Sequence, residues 1–147
     1  MSLEVYLKNN WIRRHETSAQ EVANLLAIAD RDIQQSQTPA LGDEWRFDIA
    51  FNAALQLAVV ALAAEGYQAE RQNKHQRSIE CLIFTAGADK KDVDLLDSCR
   101  RKRHVAVYEK IGAISSGEAD AMIALAIRLR KKVAQWLREK HRGLFGK

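Results

Sequence analysis

Residues 97–110 read DSCRRKRHVAVYEK and concentrate many of the groups in this chain that could act on an anion. Arg100, Arg101, Lys102 and Arg103 are consecutive cations, His104 follows them, and Tyr108 stands four residues further on. Clustered Lys and Arg supply sequence-independent affinity for phosphate, so the run is a candidate grip for nucleic acid. Histidine exchanges protons near neutral pH, which makes His104 a candidate general acid or base. Each group also has a plainer reading. Basic residues in a row describe a solvated helix face, a lone histidine packs or sits at a surface, and Tyr108 serves as a core-edge aromatic or as a platform for a base.

The geometry of one helix relates these residues. From about Lys91 to Lys110, at about 100° per residue, Leu95, Leu96, Cys99, Ala106 and Val107 share a face, with Val93 and Ile111 at its border. Arg103 projects from the middle of that apolar face. Arg100 and His104, four apart, form one flank, and Tyr108 extends their row. A charge in an apolar stripe needs compensation. Arg103 therefore meets an acid such as Asp48, Glu80 or Asp92 inside the fold, or faces a groove or second subunit, or lies in solvent because the helix breaks.

The elements that must position this helix are themselves helical. Alternating strand patterns are absent, alanine and leucine are abundant, and Gly42, Gly66, Gly87, Gly112 and Gly117 fall between periodic stretches as helix punctuation. The chain of 147 residues is long enough for one domain with a proper core. A short amphipathic start, Leu3 to Trp11, precedes a helix in TSAQEVANLLAIADRDIQQSQ. There Ser18 and Glu21 have capping-box spacing, and Val22, Leu25, Leu26, Ala29 and Ile33 form a stripe. The next helix, about Asp43 to Glu65, is apolar almost all round and reads as the core element, ended by Gly66.

A third helix is expected through HQRSIECLIFTAG with Ile79, Leu82 and Ile83 buried, and the helix of the basic run is the fourth. The last runs from a Ser115/Glu118 capping box to about His141, with Ala119, Met122, Ile123, Ala126, Leu129, Val133, Trp136 and Leu137 on its inner stripe. The expected fold is all-α, an antiparallel four- or five-helix bundle spanning 1–147, with a core of about 16–141, a short N-terminal helix and a basic C-terminal tail.

Composition narrows the function classes. The formal net charge is +4, from 23 basic and 19 acidic residues. The asymmetry is sharper at the end, where residues 128–147 carry eight Lys or Arg against Glu139 alone, an arrangement that also suits a helix C-terminus. Cys81 and Cys99 cannot make a disulfide framework or a four-ligand zinc site, so they are expected to be reduced and packed. No secretory leader and no unbroken spanning stretch is evident, so a cytoplasmic protein with no membrane association is expected.

The chain contains no GxxxxGK, GxSxG, CxxC or HExxH motif. The acidic run Asp89, Asp92, Asp94 and Asp97 suits the start of a helix without a metal. His75 reads as a capping or packing residue at a helix entrance rather than a ligand. No metal and no cofactor are expected. Trp11, Trp45 and Trp136 are spaced as core or interface anchors.

Five segments, taken in order, resemble HEPN-domain proteins, and among them a bacterial HEPN-like branch. They are SAQEVANLLAIADRDI, RFDIAFNAALQLAVVALAAEGYQ, HQRSIECL, LDSCRRKRHVAVYE and GAISSGEADAMIALAIRLRKKVAQWL, and together they cover most of the chain. The resemblance implies an antiparallel helical bundle that forms a homodimer near the signature arginine. In the ribonuclease members that arginine precedes a histidine by a short spacer, and the two residues from paired subunits build an RNA-cleaving site. Other members lack the pair and act as partners of nucleotidyltransferases, often in toxin–antitoxin systems.

This chain departs from the ribonuclease pattern. Counting back by the family spacer from His104 reaches Cys99, Ser98 and Asp97, none of them arginine. Aligning on Tyr108 instead places Arg100 or Arg101 at the signature position and Ala106 at the histidine, and alanine cannot transfer a proton. His104 lies two residues earlier, about 200° around the helix.

The expectation is a non-catalytic HEPN-like binding or regulatory module, beside a nucleotidyltransferase or in a toxin–antitoxin or stress system. Its binding residues would be Arg100, Arg101, Arg103, His104 and Tyr108. Two alternatives stand. One is a metal-independent ribonuclease using Arg100 or Arg101 with His104 across a dimer interface. The other is non-specific nucleic-acid binding through the 100–104 cluster and the basic last helix.

Overall fold

Alanines at 50, 53, 54, 58 and 61 let neighbouring helices come close to α3, Asp43–Ala64, and all five are buried. The computed structural model describes residues 1–108 and 112–145, excepting the side chains of 106–108. Its elements run α1 (Leu3–Lys8), β1 (Ile12–Arg14), α2 (Ala19–Ser36), α3, β2 (Tyr67–Ala69), α4 (Lys74–Glu80), α5 (Lys90–Tyr108) and α6 (Ser116–Lys140). The fold is an all-α bundle in which α2 and α6 pack most extensively on α3. By length and composition alone α3 could cross a membrane, but 72% of its most apolar stretch is buried within the fold. The all-round apolar pattern thus marks a helix enclosed by its neighbours.

Local chemistry sets the helix ends. Ser115 Oγ accepts from Glu118 N at 3.1 Å while Glu118 Oε1 accepts from Ser115 N at 2.9 Å, the full capping box at the start of α6. At α2 only half of that device forms. Ser18 Oγ accepts from Glu21 N, but the Glu21 carboxylate turns to Thr17 Oγ1 at 2.5 Å and His15 Nε2 at 2.7 Å. Gly66, at φ 92°, ends α3 and turns the chain into β2.

Two short strands, unannounced by any alternation, pair antiparallel with Ile12 opposite Ala69 and Arg14 opposite Tyr67. They tie the N-terminal segment to the end of α3. A second small core results, in which Tyr6, Ile12, Leu62, Ala69 and Cys81 are buried and Trp11, Tyr67 and Phe84 pack against them.

Two expectations about packing fail for local reasons. The third helix stops at Glu80 and passes into a 3-10 turn at Cys81–Ile83. The tighter winding keeps Leu82 buried but leaves Ile83 37% exposed. Among the described side chains of α5, Val93, Leu96 and Cys99 are buried while Leu95 faces outward, so the inner face is rotated toward Val93. Of the two roles expected for Trp45, at the start of α3, the core one is ruled out by its 64% exposure. Cys81 and Cys99 are buried free thiols, as expected.

Candidate anion-binding cleft

The chain leaves β2 through a turn built on Glu70. Its carboxylate accepts the backbone N–H groups of Gln72 at 2.7 Å and Asn73 at 2.8 Å, which folds residues 70–73 back and starts α4 at Lys74. This is the Asx-turn logic applied by a longer acid: local side-chain bonds replace the missing backbone ladder. The turn carries Arg71, Lys74 and His75 toward α5.

On the opposing wall, Asp97 and Asp48 orient the arginines. Asp97 Oδ1 accepts from Arg100 Nε at 2.8 Å, and its other oxygen accepts from Arg101 Nη1 at 2.5 Å. Arg103 Nε donates to Asp48 Oδ1 across to α3, with the guanidinium 5.6 Å from the centre of the Phe51 ring. The apolar face of α5 thus tolerates Arg103 because α3 supplies a carboxylate. Its side chain remains 33% exposed, so the charge is compensated without being sealed from the cleft.

Between the two walls lies a cleft of about 390 Å³ lined by residues 71–76 together with Arg100, Arg103 and His104. Arg71, Lys74, Arg100 and Arg103 are its cations, Gln72, Asn73 and Gln76 are its amides, and no carboxylate lines it among the described residues. Asp48 and Asp97 sit behind the wall and offset part of the charge. Arg71 and Lys74 pair with no carboxylate among the described residues. A surface of this kind is a receptor for phosphate or carboxylate oxygens, with arginine able to bond two oxygens at once.

His75 is held below its ordinary histidine pKa of 6.5, first by partial desolvation and then by the neighbouring Arg103, Lys74 and Arg100. It is therefore an uncharged imidazole at neutral pH, able to accept or donate one hydrogen bond. His104 lines the same cleft and is exposed.

The expected binding residues thus divide. Arg100, Arg103 and His104 meet in the cleft. Arg101 turns away, 62% exposed and bridged to Asp97, and Lys102 reaches Glu118 on α6 at 3.1 Å. The row of four cations is split by helical geometry, because two of them face another side. The side chains of Ala106 and Tyr108 lie outside the described residues, and with them the expected extension of the row.

The sequence points to neither Arg71 nor Lys74 as a site residue, and suggests capping or packing for His75. The N-cap position of α4 is Asn73, whose side chain makes no capping bond, and His75 belongs to the cleft. The clustering of Arg71, Lys74 and His75 was visible, but nothing local tied it to residues some 30 positions later.

Three of the four members of the acidic run are held in ion pairs: Asp92 with Arg128, Asp94 with Lys90, and Asp97 with the two arginines. No cluster of three metal-ligating side chains occurs among the described residues. Compared with known proteins, the chain matches no family model, no curated protein and no solved structure.

Proposed function

We propose that the chain is a non-catalytic HEPN-like binding module whose basic cleft holds the phosphate backbone of a nucleic acid. The observation that carries this reading is the convergence of Arg71, Lys74, Arg100 and Arg103 on one cleft with no carboxylate among its described lining residues. Four cations on a backbone release counterions when they bind. The logarithm of affinity should then fall against the logarithm of salt with a slope of about −3 for a single strand. Replacing Arg71 or Lys74 by alanine should make the slope shallower by about 0.7 each. Titration of a fluorescent oligonucleotide at several salt concentrations measures both. Absence of binding at low salt, or affinity indifferent to ionic strength, would overturn the proposal.

The family resemblance adds a homodimer and a protein partner of nucleotidyltransferase type, within a toxin–antitoxin or stress system. Light scattering on the purified chain tests the first, and co-purification with such a partner tests the second.

A second reading, metal-independent RNA cleavage, is favoured by one observation: His75 and His104 line the same cleft. One imidazole would take the proton of a ribose 2′-hydroxyl as its oxygen attacks phosphorus, and the other would protonate the departing 5′-oxygen. Incubation of RNA with the chain in chelator decides it. Cleavage abolished by both His75→Ala and His104→Ala would replace the non-catalytic reading.

A further inference from the structure

A second cavity opens beside the cleft, about 250 Å³ in volume, and shares Lys74 and His75 with it. Its walls are Leu25 of α2, Leu55 and Val59 of α3 and the ring-bearing Tyr67 of β2. Polar groups interrupt them: the amides of Gln56 and Gln68 and the hydroxyl of Ser78. Ser78, only 1% exposed, lines the cavity at its inner end.

The charge balance differs from that of the cleft. Lys74 is the only Lys or Arg lining this cavity among the described residues, and the Glu21 carboxylate is also present. The cavity suits a neutral body with apolar faces and hydrogen-bonding edges, placed next to a chain of phosphates. Its volume matches about eight waters of liquid, room for a planar heterocycle.

We infer that this cavity receives one unstacked nucleobase of a single-stranded nucleic acid whose phosphates lie in the adjoining cleft. The inference rests on the proposed backbone binding and adds a strand preference to it. In a duplex the base edges are paired and the faces stacked, so no base reaches the cavity without the cost of extrusion. An unpaired strand supplies base and phosphate together, and the shared Lys74 and His75 mark the junction.

The experiment compares three fluorescent probes on the full chain at one salt concentration: a short single strand, its duplex, and the same strand with abasic sugars throughout. The single strand should bind about tenfold or more tightly than its abasic counterpart and more tightly than the duplex. Val59→Phe, which fills the cavity from a half-buried position, should reduce the single strand to the level of the abasic probe. It should leave abasic and duplex binding unchanged, and that retained binding also reports an intact fold. Equal binding of normal and abasic strands would overturn the inference while leaving backbone binding in place. Failure of the wild-type chain to bind any of the probes would overturn both.

Discussion

Asp48→Asn should weaken the fold and strengthen the cleft at the same time. Asp48 accepts from Arg103 Nε between α3 and α5, and the two side chains are 27% and 33% exposed. Breaking a fully buried pair by removing one partner costs about 3–5 kcal/mol, and an exposed pair contributes about 0–1 kcal/mol. A pair shielded to this degree lies between them, so a loss of about 1–2 kcal/mol is expected. In a domain of this size that lowers Tm by about 2–8 °C.

The effect on ligand has the opposite sign. Removing the carboxylate leaves the Arg103 cation without its countercharge beside an anion, and affinity for a single strand should rise. Thermal unfolding and oligonucleotide titration of Asp48→Asn, Arg103→Met and the double variant complete a cycle. A coupling energy near zero in the melts would refute the pairing of Arg103 with Asp48. Affinity that fell for Asp48→Asn while the protein remained folded would refute the claim that Arg103 presents its charge to the cleft.

Three further outcomes follow from the structure. Ser115→Ala removes the hydroxyl half of the capping box on α6 and should cost about 1 kcal/mol in urea unfolding, whereas Glu118→Gln, which keeps an acceptor, should cost less. His75 has a folded-state pKa below its unfolded value of 6.5, so its neutral form favours folding. Stability should therefore be highest above 6.5 and decline as pH falls through that value, where the unfolded chain binds the proton first. NMR titration of the imidazole should place its midpoint below 6.5, and added phosphate polymer should move it upward. Burial pushes the Cys81 and Cys99 thiols up to about 12 and about 11. Labelling by a thiol-reactive dye at neutral pH should track unfolding, and rapid labelling of the folded chain would contradict the burial.

Helical periodicity was the part of the sequence that translated most directly into structure. The capped starts at Ser18 and Ser115, the stop at Gly66 and the inner stripe of α6 are local features, read from residues three or four apart. The errors arise where a neighbour overrides such local rules. Ile83 follows a helix that tightens into a 3-10 turn, and the two strands exist because Ile12–Arg14 finds Tyr67–Ala69, a pairing that three residues of pattern cannot announce. Trp45 carries a large apolar side chain yet lies outside the core, where exposure of a single apolar residue is ordinary.

The cleft was half legible for a related reason. A helical projection of α5 was enough to require compensation at Arg103 and to name Asp48 among its acids, because burial of a charge restricts the outcomes. No such restriction acts on Arg71, Lys74 or His75, whose positions depend on the Glu70 turn and on how α4 meets α5. The run of cations at 100–103 therefore overstated one helix and understated the site. Two of its four members, Arg101 and Lys102, do not line the cleft, and Arg71 and Lys74 from a distant segment complete it. A basic cluster in a helical sequence is better judged by which of its members share a face with cations from another segment than by its length. The same reasoning makes Arg101 and Lys102 the fitting controls for Arg100 and Arg103, since charge is equal and only placement differs.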